Sequence, residues 1–222
     1  MELDFSPVWQ GWSELAHGTL VTVEVTLGAI CLSCAIGLLV GMGRLDARRR
    51  LLYGLCSTYV SVIRGTPLLV QLFIWFFGLP RVGIDLPAFF CGVVGMGMYS
   101  GAYVSEVVRG AIQSVDRGQM EAARSLGMPY GLAMRTIVVP QAVVRMIPPL
   151  GNEFIALIKN SSLVSLVTIA DLMHEGQKII STSYRSLEVY IAIAVVYFVL
   201  TNLTGGALRM LERKLGAGGA VR

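Results

Sequence analysis

Long apolar stretches alternate with short polar segments along the whole chain. Three of the apolar stretches carry no charged residue, at residues 25–43, 86–105 and 189–208. An α-helix rises about 1.5 Å per residue, so roughly 20 residues cross a hydrocarbon core of about 30 Å. Each of these stretches therefore predicts a transmembrane helix.

Two further stretches are long enough to cross a membrane but contain charged residues. Residues 51–80 are interrupted only by Arg64. Residues 138–173 contain four charged residues, Arg145, Glu153, Lys159 and Asp171. We predict an all-α integral membrane protein with five transmembrane helices, at about residues 20–43, 53–79, 86–108, 140–172 and 188–209. The transmembrane domain then covers residues 19–211, with an amphipathic lead-in at 1–18 and a cytoplasmic tail at 212–222.

The polar segment between the third and fourth predicted helices has an unusual composition. Residues 121–140, EAARSLGMPYGLAMRTIVVP, mix helix-forming alanines with helix-breaking glycines and prolines. This pattern predicts two short helices that separate near residues 127–129. A passive linker rarely needs so many helix-forming residues. We therefore interpret residues 117–139 as a docking element at the membrane surface.

Composition assigns the chain to the membrane proteins. Hydrophobic residues make up 55% of the 222, charged residues only 14%, and the mean hydropathy is +0.67. A soluble domain has about a quarter charged residues. The sequence lacks the glycine-rich motif of a P-loop ATPase and shows neither a nucleophile–base pair nor clustered metal ligands. We therefore expect no catalytic residue, no metal site and no cofactor bound by this chain.

The distribution of basic residues predicts the orientation in the membrane. They concentrate after the first and third apolar stretches and near the C-terminus, whereas the loop before residue 86 carries Arg81 balanced by Asp85. Cytoplasmic loops of membrane proteins are enriched in Lys and Arg. We expect the N-terminus outside, and the docking element and C-terminus in the cytoplasm. The net charge of +4 follows from this topology and from anionic lipid, and it requires no nucleic-acid partner.

Arg64 is the first polar position inside the apolar stretches that indicates function. An ionisable side chain near the bilayer centre costs about 3 kcal/mol or more, so it is expected to face protein or water. The following Gly65-Thr66-Pro67 predicts a helix break, and broken helices at mid-membrane line cavities or ligand sites. We expect Arg64 and Thr66 to line a substrate pathway, where a guanidinium binds a carboxylate. The alternative is that Arg64 forms a structural pair with Glu153 or another acidic residue.

The fourth predicted helix contains a similar polar interruption. Pro148-Pro149 predicts another helix break directly before Asn152 and Glu153. These two side chains are suited to an ammonium or amide group. The alternative is that Glu153 only neutralises a nearby basic residue.

The docking element resembles the EAA motif of the inner-membrane permeases of ATP-binding-cassette (ABC) importers. Residues 121–123, Gly127, Ile137 and Pro140 have the spacing of that motif, with Val139 where the family usually has leucine. Segments 62–68, 101–110 and 148–153 are similar to those of the polar amino-acid permeases of the histidine/glutamine type. The resemblance extends over nearly the whole chain. Within the second of these segments, the spacing of Glu106 and Arg109 predicts a helical ion pair.

The resemblance implies a type I ABC importer fold in the bacterial inner membrane and a binding-protein-dependent importer of a polar amino acid, with basic and glutamine-like amino acids as candidates. It implies a second permease subunit, identical or different, cytoplasmic ABC ATPase subunits that hold ATP and Mg²⁺, and an external amino-acid-binding protein. The residues that would contact the ATPase are Glu121, Ala122, Ala123 and Gly127. The residues that would line the substrate pathway are Arg64, Thr66, Asn152 and Glu153.

Two other classes of protein are alternatives. A secondary transporter or channel also has charges and broken helices at mid-membrane, but it has no use for an EAA segment. An intramembrane enzyme requires a nucleophile–base pair or metal ligands, which the sequence does not show. We therefore expect an ABC permease.

Overall fold

The computed structural model describes residues 3–216, and every regular element in this range is a helix. The α-helices are α1 Ser6–Gln10, α2 Trp12–Gly43, α3 Arg50–Arg64, α4 Leu68–Phe73, α5 Ala88–Ser114, α6 Arg117–Ser125, α7 Tyr130–Ala133, α8 Val139–Asn160, α9 Leu172–Ser183 and α10 Ser186–Lys214. Two π-helical turns, Ile74–Gly78 and Met134–Val138, and two 3₁₀ segments, Leu79–Val82 and Ser161–Val167, extend these helices. Residues 1–2 of the predicted lead-in and 217–222 of the predicted tail lie outside the described residues.

Three helices, α2, α5 and α10, are long and apolar enough to cross a membrane alone. Two bent pairs satisfy the same criterion: Arg50–Arg64 with Leu68–Val82, bent by 106°, and Tyr130–Val167 with Leu172–Ser183, bent by 53°. When each bent pair counts as one span, the described part of the chain contains up to five spans, the number that the sequence predicts.

The central helix of the fold is α5, which packs against α2, α3, α4 and α8. Its contact with α2 is close because α2 presents glycines to it. A Cβ atom added at Gly37 would lie 2.3 Å from Cγ1 of Val104, and one added at Gly41 would lie 2.9 Å from the carbonyl oxygen of Ser105. Small residues let two membrane helices approach to such distances, and dispersion contacts then hold them together.

The helix break predicted at residues 65–67 is confirmed. The helix α3 ends at Arg64 and α4 begins at Leu68, because Pro67 lacks an N–H donor and favours an extended conformation before it. A side chain bonds to both sides of the break: Nε2 of the buried Gln71 donates to the carbonyl oxygen of Ile63 at 2.8 Å and to the hydroxyl Oγ1 of Thr66 at 2.8 Å. The side chain of Gln71 on α4 thus connects the two helices across the 106° bend.

The helix break predicted at Pro148-Pro149 is wrong, because α8 continues through both prolines to Asn160. A helical φ suits the proline ring, and neighbouring helices make such prolines tolerable in membrane helices. The α-helix instead gives way to a 3₁₀ segment at Ser161, where serine hydroxyls bond to free carbonyls.

A second bend separates this 3₁₀ segment from α9. Asp171, which is fully buried, accepts a hydrogen bond from the backbone N–H of His174 at 3.0 Å and so caps α9. The backbone N–H of Leu172 donates to Oγ1 of Thr22 on α2 at 3.1 Å. The break thus lies against the first long helix and is fixed by polar contacts.

The docking element has the predicted separation near residues 127–129, but its second part is not a separate short helix. The helix α6 ends at Ser125, and Gly127 has φ = +85°, a conformation that glycine adopts at little cost. From Tyr130 the chain continues through α7 and a π-helical turn directly into α8. Pro140 does not end the helix: it directly follows the π-helical turn Met134–Val138, where the regular α-helical hydrogen-bond pattern is already interrupted.

Candidate functional site

Four polar residues of α5 form one face that reaches both broken spans. They are Tyr99, Ser100, Tyr103 and Glu106, and residues three or four positions apart lie above one another on a helix. This face contacts Arg64 at the end of α3 and Glu153 in α8. The fold therefore brings together two of the predicted pathway residues around residues that the sequence analysis did not select.

Arg64 lies between an aromatic ring and a carboxylate. Its Cζ atom is 5.1 Å from the centroid of the Tyr103 ring, and its Nη1 atom is 3.7 Å from Oε1 of Glu106. Its side chain is 45% exposed. The first contact is a cation–π interaction, in which the guanidinium is attracted to the face of the ring. Among the described residues its acidic partner is Glu106 and not Glu153.

Glu106 also pairs with two other arginines. The predicted pair with Arg109 is confirmed, with Nη2 at 2.6 Å from Oε2. Nη1 of Arg44, the residue that follows α2, bonds to Oε1 of Glu106, and its Nε atom donates to Oγ of Ser57 on α3 at 3.2 Å. The sequence analysis accounts for Arg44 only as one of the basic residues of an expected cytoplasmic loop. No pattern of neighbouring residues predicts that Arg44 connects α2, α3 and α5.

Glu153 contacts the same face of α5 through Ser100. Its Oε1 atom accepts a hydrogen bond from Oγ of Ser100 at 3.0 Å. The hydroxyl groups of Tyr99 and Tyr103 are 3.2 Å apart, and their ring centroids are separated by 5.1 Å. The same face of α5 therefore contacts the Arg64 guanidinium through Tyr103 and the Glu153 carboxylate through Ser100, which follows Tyr99 in the chain.

Thr66 and Asn152, the other two predicted pathway residues, do not share the positions of Arg64 and Glu153. Oγ1 of Thr66 donates to the carbonyl oxygen of Val62 at 3.0 Å and accepts from Gln71, so it contributes to the helix break. Asn152 is exposed and precedes Glu153 by one position, so its side chain leaves α8 in a direction about 100° away. The α5 face does not include either residue.

The docking element presents both charged and apolar side chains. Glu121, Ala122 and Gly127 are exposed, whereas Ala123 is buried and packs α6 against the rest of the element. Three large apolar side chains are exposed beside them: Leu126, Tyr130 and Leu132. We call Glu121, Ala122, Leu126, Tyr130 and Leu132 the coupling surface. Exposed apolar groups with a polar rim are typical of a protein interface.

Comparison with known proteins finds a matching family and relatives that cover most of the chain. Residues 33–217 match the family described as "Binding-protein-dependent transport system inner membrane component". The chain is 38% identical to the probable glutamine ABC transporter permease protein GlnM of Bacillus subtilis, over 96% of this chain and 98% of that protein. It is 33% identical to the arginine transport system permease protein ArtQ of the same organism, over 97% and 98%.

A solved structure, an amino acid ABC transporter with histidines, superimposes with a TM-score of 0.90 at 40% identity, covering 96% of this chain and all of that one. The type I importer fold is confirmed, and so is a multi-pass position in the bacterial inner membrane. The relatives are transport subunits, so ATP hydrolysis belongs to a partner subunit and this chain is not an enzyme. The chain belongs to the family of binding-protein-dependent inner-membrane transport components, as a permease for polar amino acids.

Proposed function

We propose that the α5 face between Arg64 and Glu153 is the part of the translocation pathway that contacts the amino acid. The observation that carries this proposal is that one face of α5 contacts a guanidinium through Tyr103 and a carboxylate through Ser100. A free amino acid carries the complementary charges. Arg64 would bind its α-carboxylate, and Glu153 would bind an ammonium group or the polar end of the side chain.

The separation of the two charged groups favours a long, polar side chain on the cargo. Because Arg64 contacts Tyr103 and Glu106 whereas Glu153 contacts Ser100, a cargo that contacts both charged groups must extend along the α5 face. Glutamine and the basic amino acids have this form. The relatives named for glutamine and for arginine support the same two candidates. Thr66 would serve the pathway by maintaining the helix break. Asn152 would line the pathway away from the α5 face.

We further propose that the coupling surface, together with the turn at Gly127, docks a cytoplasmic ABC ATPase. ATP and Mg²⁺ would bind only to that partner. Closure of the ATPase pair would move α6, and the continuous helix from Tyr130 to Asn160 would transmit the displacement to Glu153. A second permease subunit, identical or different, would complete the pathway. An external amino-acid-binding protein would deliver cargo at the opposite side, where the N-terminus is expected.

The test is a reconstituted complex of the permease, its ATPase and its binding protein in liposomes. ATP hydrolysis and uptake are measured with a panel of amino acids that includes glutamine, arginine, histidine and leucine. The proposal requires that a polar amino acid stimulates hydrolysis and that uptake depends on the ATPase. Uptake that continues without the ATPase would identify a secondary transporter instead.

A further inference from the structure

The Glu106 carboxylate is surrounded by an excess of positive charge. Three guanidinium groups lie within 4 Å of it, those of Arg44, Arg64 and Arg109. One carboxylate cannot neutralise three arginines, so the cluster retains net positive charge and attracts anions. An additional anion is the simplest way to balance it.

The three contacts of Glu106 are not equivalent. Arg44 and Arg109 form direct hydrogen bonds with it, and their side chains are 13% and 31% exposed. The Arg64 contact is 3.7 Å long, beyond hydrogen-bond length, and Arg64 is the most exposed of the three. Arg64 is therefore the guanidinium that Glu106 can release at the lowest cost.

We propose that Glu106 is a positioning residue that competes with the α-carboxylate of the cargo for Arg64. This inference rests on the proposed function of the α5 face. Without cargo, Glu106 holds the guanidinium against the Tyr103 ring. When cargo arrives, its carboxylate takes Arg64 in a bidentate contact.

The exchange leaves no group without a partner. Glu106 keeps its hydrogen bonds to Arg44 and Arg109, and Arg64 gains a new anion while it remains near Tyr103. A buried carboxylate that loses its only partner is strongly destabilising, so the two remaining arginines are what make the exchange possible. Because Arg64 is the last residue of α3, the exchange also acts directly on the helix break at residues 65–67.

The test is equilibrium binding of amino acid to the assembled permease–ATPase complex in nanodiscs, without the binding protein or nucleotide. The probes are L-glutamine, L-arginine and L-arginine amide, which lacks the α-carboxylate. The variants are Glu106→Gln, Glu106→Asp and Arg64→Gln. Glu188→Gln is the matched control, because Glu188 is also shielded and pairs with an arginine three residues away, at 3.6 Å.

We expect Glu106→Gln to tighten binding of the free amino acid by on the order of tenfold, the effect of one charge-assisted contact, and to leave the amide unchanged. Glu106→Asp keeps the charge but withdraws it by one methylene, and should tighten binding less. In both variants the half-saturating cargo concentration for ATPase stimulation should fall without a rise in the maximal rate. Glu188→Gln should change neither quantity.

Unchanged or weaker binding in an assembled Glu106→Gln or Glu106→Asp complex would overturn the inference while leaving the proposed pathway intact. Equal tightening for the amide would also overturn it, because the competing group would not be the carboxylate. If Arg64→Gln left binding unchanged, the pathway itself would be misplaced and the inference would fall with it. These outcomes separate the two proposals.

Discussion

Arg64 and Glu106 connect the end of a broken span to the central helix. Nη1 of Arg64 lies 3.7 Å from Oε1 of Glu106, although the two residues belong to different helices, α3 and α5. The guanidinium also lies over the Tyr103 ring of α5. Since the span is bent by 106° immediately after Arg64, this side chain is placed where a cargo carboxylate and the conformation of the break can affect each other.

Arg64→Ala is expected to reduce uptake much more than it reduces assembly. The exposed half of the side chain indicates a limited structural role, and its loss leaves Glu106 paired with two other arginines. Uptake by the reconstituted complex should fall by on the order of tenfold or more, the value of a charge-assisted contact. The amount of complex in the membrane is measured in parallel. A variant that fails to insert would indicate a structural role instead.

Glu153→Gln is expected to change the preference among cargo molecules. If the carboxylate binds a cationic side chain, its removal should lower uptake of arginine relative to glutamine by about tenfold. Asn202→Ala is the control, because Asn202 is exposed on α10 and its amide donates to the carbonyl oxygen of Phe198 on the same helix. An unchanged ratio of the two uptake rates would contradict the role proposed for Glu153.

Glu121→Lys is expected to uncouple the permease from its ATPase without unfolding it. Glu121 is exposed on α6, and charge reversal at the edge of an interface disfavours docking. Co-purification with the ATPase and cargo-stimulated hydrolysis should both fall. Glu14→Lys is the control, since Glu14 is an exposed carboxylate in the first turn of α2, far along the chain from the coupling surface. Undiminished uptake by Glu121→Lys would show that this position does not contact the partner.

Gly127→Ala and Gly131→Ala form a matched pair in the docking element. A Cβ atom meets nothing within 4 Å at either position, but only Gly127 has a positive φ, +85°. Alanine at residue 127 should therefore destabilise the turn by about 1 kcal/mol, whereas alanine in the helix at residue 131 should be neutral or stabilising. Thermal unfolding of the purified permease measures the difference. Equal effects would mean that backbone conformation at Gly127 is unimportant.

Gly37→Ala is expected to disturb the packing of α2 on α5. The new Cβ would lie 2.3 Å from Cγ1 of Val104, so the helices must separate, at a cost of about 1–3 kcal/mol. Gly206→Ala in α10 is the control, because nothing lies within 4 Å of a Cβ there, and removal of a helical glycine should be neutral or stabilising. The two melting temperatures in detergent are compared. A Gly37→Ala protein as stable as Gly206→Ala would show that the contact is looser than the structure indicates.

Local features of the fold were predictable because they depend on adjacent residues. The charge-free stretches correspond to α2, α5 and α10, since apolar length largely decides whether a helix can span a bilayer. Pro67 ends α3 and Gly127 permits the turn after α6 through backbone preferences that act within a few positions. The same local reasoning failed at Pro148-Pro149, where packing by neighbouring helices kept α8 continuous.

The amino-acid sequence by itself therefore determined the membrane class, the first helix break, the docking element and the residues that carry charge. Only the tertiary structure decided which charges meet. Arg44 and Glu106 are 62 positions apart in the chain, and Ser100 and Glu153 are 53 positions apart. Their contacts exist because glycines bring α2 against α5 and because α8 packs beside it. Such pairings depend on how helices pack across long sequence separations, and no local pattern of residue types encodes them.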